Sequence, residues 1–179
     1  MRSAFKILPH YTYDDYCHWE GKWEIIEGIP YAMSPMPRPE YQAVATNLAS
    51  ELRMAQKKAG CGCTVYQPID YKVSEDTVLN PDVLVVCRPI TGQYLDFPPD
   101  IVAEILSPST ALKDRHTKYD IYQSEGIPYY IIVDTEKRSV EVYRLKHSEY
   151  ELQELNQSVP FSFSLSSCSF DLLFQDIWS

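Results

Sequence analysis

Apolar residues change their period several times along the chain, and each change marks an element. Tyr11 to Glu20 reads as a short amphipathic helix, with Thr12 followed three residues later by Asp15 in the manner of an N-terminal cap. From Lys22 to Met33, two apolar runs flank a central Glu27-Gly28, the signature of a β-hairpin. The segment Ser34-Pro35-Met36-Pro37-Arg38-Pro39 is a rigid connector, because its prolines exclude helix interior and central strand. Beyond it, Val44, Ala45, Leu48, Leu52 and Ala55 follow the three-to-four spacing of one helical face, which predicts a long helix over Glu40–Ala59 stopped by Gly60.

The pattern then becomes strand-like. Thr64 to Val73 alternates, Val78 to Cys87 contains Val83-Leu84-Val85-Val86, and Ile101 to Leu106 is a further apolar run. The last two read as strands buried on both faces. After Ser107-Pro108-Ser109-Thr110, residues Ala111 to Ser124 are predicted as a second helix ending near Gly126. Tyr129–Val133 and Ser139–Leu145 pair as a hairpin around Asp134-Thr135-Glu136-Lys137. In the tail, Pro160 to Ser169 is strand-like and Asp171 to Trp178 is a candidate terminal helix. The expected class is α/β with a mixed sheet, in the order helix, three strands, helix, two strands. At 179 residues this is read as one domain over 1–179.

Composition narrows the picture. With 45% apolar residues and charges spread along the chain, the protein is a folded globule. No stretch approaches the roughly 20 consecutive apolar residues of a membrane span, and Met1 to Tyr16 lacks the order of a secretory signal, so a cytoplasmic protein without membrane contact is expected. The five cysteines, Cys17, Cys61, Cys63, Cys87 and Cys168, are an odd count with no C-x-x-C pair, which suggests neither a disulfide framework nor a structural zinc site, and they are expected to be free, mostly structural thiols. The formal net charge of −9 weighs against a nucleic-acid partner, since phosphate neutralisation needs Lys and Arg on the contacting face. Basic residues nevertheless concentrate at Arg38, Arg53, Lys57 and Lys58, and again at Lys113, Arg115 and Lys118.

The chemistry points to two acids. Asp82, in Asn80-Pro81-Asp82, opens one buried-looking run, and Glu104 lies inside the other. A buried unpaired carboxylate costs several kcal/mol, so each needs a partner or a metal. On neighbouring strands the two would hold a divalent ion through oxygen ligands, as magnesium prefers. The bland readings are a turn-forming Asp82 bonded to its own backbone and a Glu104 paired with a lysine or arginine. Asp114, Lys118 and Tyr122 share one face of the second helix at i, i+4 and i+8, which aims a lysine at the acids or leaves a solvated ion pair.

These residues resemble the Uma2 family of endonucleases, a branch of the PD-(D/E)xK, or restriction-endonuclease-like, superfamily. The resemblance runs from about Trp23 to about Leu145 and rests on Trp23-Glu24-Ile25-Ile26-Glu27-Gly28 followed by Met33-Ser34-Pro35, on Asn80 to Val86, on Val102 to Thr110, on Asp114, Lys118 and Tyr122, and on Gly126 to Asp134. It implies a helix-strand-strand-strand-helix-strand core, here with an added N-terminal helix and hairpin. It further implies Asp82 and Glu104 as magnesium ligands, with manganese as a substitute, and a lysine that positions the attacking water or stabilises transition-state charge. Leu106 stands where the broad superfamily pattern has lysine, and Lys118 is the replacement. Glu24 and Glu27, ahead of Glu51, are candidates for the remaining acid, while Tyr41 stands where relatives often carry histidine. Arg38, Lys113 and Arg115 are candidate nucleic-acid contacts.

The leading expectation is therefore a magnesium-dependent endonuclease acting on DNA, with a homodimer implied by the superfamily alone. The alternatives are a catalytically silent DNA- or protein-binding module on the same scaffold, and a hydrolase of another substrate class using the same metal site.

Overall fold

Glu27 and Gly28 adopt φ of 50° and 76°, the paired positive values that a two-residue hairpin turn requires. A second feature favours glycine at 28, since a Cβ there would run into the His10 ring, which would have to swing away. The turn joins β1 (Trp23–Ile26) to β2 (Ile29–Ala32) in the register Trp23↔Ala32 to Ile26↔Ile29, as the sequence predicts. The computed structural model describes residues 9–33, 38–107 and 110–179. Most of the Ser34–Pro39 connector thus lies outside the described residues.

Ahead of the hairpin, α1 is one turn, Tyr13–Tyr16, shorter than the expected 11–20. The predicted cap is present: the Thr12 N–H and hydroxyl both donate to Asp15 Oδ2, at 2.9 and 3.0 Å. The long helix α2 spans Pro39–Ala59, with proline at its first position, where a missing N–H costs nothing, and Gly60 at φ 71° closing it. Its buried face is Val44, Ala45, Leu48, Leu52 and Gln56.

Two expected strands are each divided. Thr64–Val73 becomes β3 (Thr64–Tyr66) and β4 (Tyr71–Ser74), interrupted around Pro68. Val78–Cys87 becomes β5 (Thr77–Leu79) and β6 (Val83–Val86), broken at Asn80-Pro81-Asp82, where Pro81 has no N–H to give a ladder. The halves join different sheets. Next come β7 (Ile101–Leu106), a π-helical turn Lys113–Lys118 running into α3 (Tyr119–Ser124), then β8 (Tyr129–Asp134), β9 (Ser139–Lys146) and β10 (Glu149–Leu152). The tail forms β11 (Phe161–Ser164), β12 (Ser169–Leu172) and a 3-10 helix, Phe174–Trp178, in place of the candidate α-helix.

The large sheet has the order β10-β9-β8-β7-β6-β3, and the small one β2-β1-β5-β4. Within the large sheet only β7 and β8 run parallel, joined through the helical segment between them. Both β6 and β7 are buried at every residue, matching their continuous apolar sequence. One face of β7, Ile101, Ala103 and Ile105, packs against α2, the β11–β12 hairpin and the terminal 3-10 helix through Leu48, Leu52, Phe163 and Phe174. The other face, Val102 and Leu106, packs with Tyr122, Tyr130 and Ile132. Glu104 belongs to this second face by strand alternation.

The expectation of free thiols is overturned. Cys61 is bonded to Cys168 and Cys63 to Cys87, leaving Cys17 as the one free, exposed cysteine. The reason is register: Thr64 pairs with Val86, which brings the adjacent Cys63 and Cys87 together across the strands. Spacing in the sequence carries no trace of that pairing.

Candidate active site

The break at Pro81 that ends β5 also delivers Asp82 to the start of β6, beside β7. There Asp82 Oδ2 accepts the Ile105 N–H at 2.8 Å, and the Tyr41 hydroxyl of α2 donates to the same carboxylate. Burial pushes the Asp82 carboxyl above its ordinary range, against the pull of these two donors. One strand over, Glu104 Oε1 accepts both Lys118 Nζ at 2.8 Å and the Tyr122 hydroxyl at 2.6 Å. Its side chain is buried with those of Asp114 and Lys118, each about 2% exposed.

Lys118 is the hub. Besides Glu104 it meets Glu24 Oε1 at 2.7 Å and Asp114 Oδ1 at 3.7 Å. Lys113 donates to the other Glu24 oxygen, and the Asn80 N–H donates to Glu24 Oε1 at 3.0 Å. The solvated-face reading of Asp114 and Lys118 is therefore overturned: the π-helical turn, a feature that often marks functional sites, faces both inward. The structure brings Glu24, Asp82, Glu104, Asp114 and Lys118 together. Glu27 is not among them, since it sits exposed on the hairpin turn, and Glu51 lies on α2 near Asp176.

Charge balance decides what the cluster can do. Glu24, Asp82, Glu104 and Asp114 face two ammonium groups, Lys113 and Lys118, so four acids against two bases leave a surplus of two negative charges. Glu24 resolves its burial by sharing both lysines, which hold its carboxyl below the usual range. Glu104 has one lysine shared three ways; burial, then repulsion from Asp114, Asp82 and Glu24, pushes its carboxyl well up despite Lys118. Asp114 is also raised, chiefly by burial, and its Oδ1 has no hydrogen-bond partner. Conversely, the three carboxylates overcome desolvation and hold Lys118 firmly protonated. An orphaned buried oxygen and a surplus of two charges suit one divalent cation. Among the described residues, however, no three acids already stand around a common point, because the Lys118 ammonium lies among them.

The remaining candidates lie further out. Leu106 shares the face of Glu104 with an apolar side chain, and the ammonium that meets Glu104 comes from Lys118 on the helical segment. Lys113 turns inward, Arg115 forms a two-armed pair with Glu141, and Arg38 is 77% exposed, 4.0 Å from Glu136. Tyr41, Tyr122 and Asp114 are positioning groups to which the sequence reading gave no role. Their signal was the i, i+4, i+8 face for two of them and, for Tyr41, its place at the start of the long helix where relatives often carry histidine. A separate cleft of about 320 Å³ is lined by Tyr13, Tyr16, Trp19, Trp23 and Asp70 and includes none of these acids.

The fold is mixed α/β, with one large and one smaller sheet, and a solved structure shares it. A crystal structure of a "putative nuclease belonging to DUF820" from Anabaena variabilis ATCC 29413 superposes with a TM-score of 0.73 and 20% sequence identity, covering 93% of this chain and 97% of that one. The chain belongs to the Uma2 family, described as "Putative restriction endonuclease", whose profile matches residues 11–167. No curated protein matches the chain. Among the described residues, no helix is long and apolar enough to cross a membrane.

Proposed function

We propose that this protein is a metal-dependent endonuclease hydrolysing phosphodiester bonds in DNA, with magnesium as its cofactor and manganese as a substitute. The observation that carries this reading is the buried surplus of two negative charges around Lys118, in a chain of the Uma2 family. Asp82 and Glu104 would hold the ion, with Asp114 Oδ1 as a third oxygen. When bound, magnesium supplies charge neutralisation at a phosphate and a water of lowered pKa.

The chain's own groups do the rest. The Ile105 N–H and the Tyr41 hydroxyl hold Asp82, and the Tyr122 hydroxyl holds Glu104, so to admit an ion the Lys118 ammonium between the acids has to shift. Lys118, held protonated, places positive charge beside the acids where negative charge grows on phosphorus oxygens. Exposed Arg38 is available to a phosphate backbone, whereas Lys113 and Arg115 are already engaged. A homodimer, which would present two sites to two strands, belongs to the same proposal.

A second reading, a binding module without cleavage, draws on the way Lys118 already serves three carboxylates. One experiment separates them: plasmid, single-stranded DNA and RNA are incubated with wild type and Asp82→Ala in magnesium or manganese. Cleavage of DNA by wild type alone supports the nuclease. Metal binding without cleavage of any substrate, or no metal binding at all, removes it.

A further inference from the structure

Four of the five cysteines meet at one place, well apart in sequence. Cys61 and Cys63 form a C-x-C segment directly after the Gly60 cap of α2. Cys87 follows β6, opposite Cys63, and Cys168 sits in the β11–β12 turn, where its carbonyl accepts the Leu165 N–H at 2.8 Å. The two disulfides are not independent units, because Cys63 Sγ lies 3.8 Å from Cys168 Sγ. All four residues are only half-buried, within reach of solvent reductants and ions.

We propose that in the reduced chain Cys61, Cys63, Cys87 and Cys168 form a tetrahedral four-thiolate site for one zinc ion. Zinc–thiolate bonds of about 2.3 Å fix the sulfur–sulfur edges of a tetrahedron at roughly 3.8 Å, the separation that already joins the two pairs. The four sulfurs come from three chain segments linked in one chain of contacts, and among the described residues they form no metal cluster while the disulfides are intact. A soft cation is the fitting occupant, whereas the oxygen-rich Lys118 cluster suits a hard one.

As disulfides the sulfurs offer no thiolate, so the site exists in one redox state only. A dithiol reductant gives two electrons and two protons to each disulfide and is itself oxidised to a disulfide. The four thiols then release four protons as zinc binds. In either state the link holds the β11–β12 turn to the end of α2 and to the β3–β6 edge.

The test uses the full chain, reduced with a phosphine and kept anaerobic, titrated with cobalt(II) as a spectroscopic stand-in for zinc. Expected are thiolate-to-cobalt charge-transfer bands and intense tetrahedral d–d bands that saturate at one cobalt per chain, vanish on adding zinc, and are absent from oxidised protein. Cys168→Ser should weaken binding by more than about a hundredfold, beyond the cost of losing a supporting residue. Cys17→Ser should change nothing. If Cys168→Ser fails to fold, alkylation of wild type decides: zinc should protect four of five thiols until a chelator is added. A folded, reduced chain without these bands, bands that survive in Cys168→Ser, or thiols alkylated equally with and without zinc would overturn the proposal.

Discussion

Lys118 and Arg115 stand three residues apart on one π-helical turn, yet they solve opposite problems. Arg115 makes two parallel bonds to Glu141, at 2.9 and 2.8 Å, with both side chains about 30% exposed. The two partners agree: the hydrogen bonds raise Arg115 and lower Glu141, so one charge answers one charge. Lys118 is buried and serves three carboxylates, of which Glu24 is lowered while Glu104 and Asp114 are raised. A matched pair needs nothing from outside the protein. An unmatched buried set has to take up protons or a cation, and the proposed metal site rests on the second.

The sharpest way to break this comparison is to remove the hub. Lys118→Met fits the space but strips Glu24, Glu104 and Asp114 of their shared ammonium, and removing one partner of a buried ion pair costs about 3–5 kcal/mol. Thermal denaturation should show the melting temperature falling by roughly 10 °C, given about 2–4 °C per kcal/mol at this size. An unchanged melting temperature would mean that the acids are already neutral and the hub reading fails. Next in size is Glu104→Gln, which keeps an acceptor for Lys118 and Tyr122 but removes one negative charge. Apo stability should change little, whereas the stabilisation by magnesium, about 2.7 kcal/mol at a hundredfold excess over Kd, should disappear. Equal stabilisation of mutant and wild type in calorimetry would place the ion elsewhere.

What the sequence made visible was whatever depends on period and turn chemistry. The Glu27-Gly28 hairpin, α2 with its Gly60 stop, and the doubly buried β6 and β7 follow directly from such patterns. Asp82 and Glu104 were legible because a charge beside or inside an apolar run needs a partner; Glu104 has the lysine that its bland reading named, whereas Asp82 accepts the Ile105 N–H of the next strand. The choice between Glu24 and Glu27 was not, since both lie in one motif and only strand alternation against β5 turns Glu24 toward Lys118. The contact of Tyr41 with Asp82 and the disulfides were hidden for the same reason. Each depends on which distant segments the sheet register juxtaposes, and that is decided by packing of the whole chain.

The pH dependence sharpens the contrast by sign. Asp82, Glu104 and Asp114 have carboxyls raised above their unfolded values, so the folded state binds more protons and apo stability falls as pH climbs from the ordinary carboxylate value near 4.5 through the raised ones. Glu24 acts in reverse, its contribution being present above the unfolded value and lost as pH drops through the lowered one. The Lys118 contribution is fully present below its unfolded value of 10.5 and is lost only as pH rises through the still higher folded one. Chemical denaturation should therefore find the apo protein more stable at mildly acidic pH than at neutral pH. Magnesium should reverse that trend by binding the deprotonated acids. Asp82→Asn should flatten the apo curve, and a curve that rises steadily to neutrality in wild type would contradict the raised carboxyls.

The smallest effect belongs to the matched pair. Arg115→Gln removes the two-armed contact with Glu141, but both groups reach water, so the cost should stay near or below about 1 kcal/mol and shrink further as salt screens the pair. Magnesium affinity should be unchanged, because Glu141 accepts the Tyr143 hydroxyl at 2.6 Å and stays fixed outside the Lys118 cluster. Denaturant titration at low and high salt checks the first point, and calorimetry the second. A loss of several kcal/mol, or a fall in magnesium affinity, would show that the two ends of the π-helical turn form one electrostatic unit, and that the surplus charge at Lys118 is balanced partly from the Arg115 side.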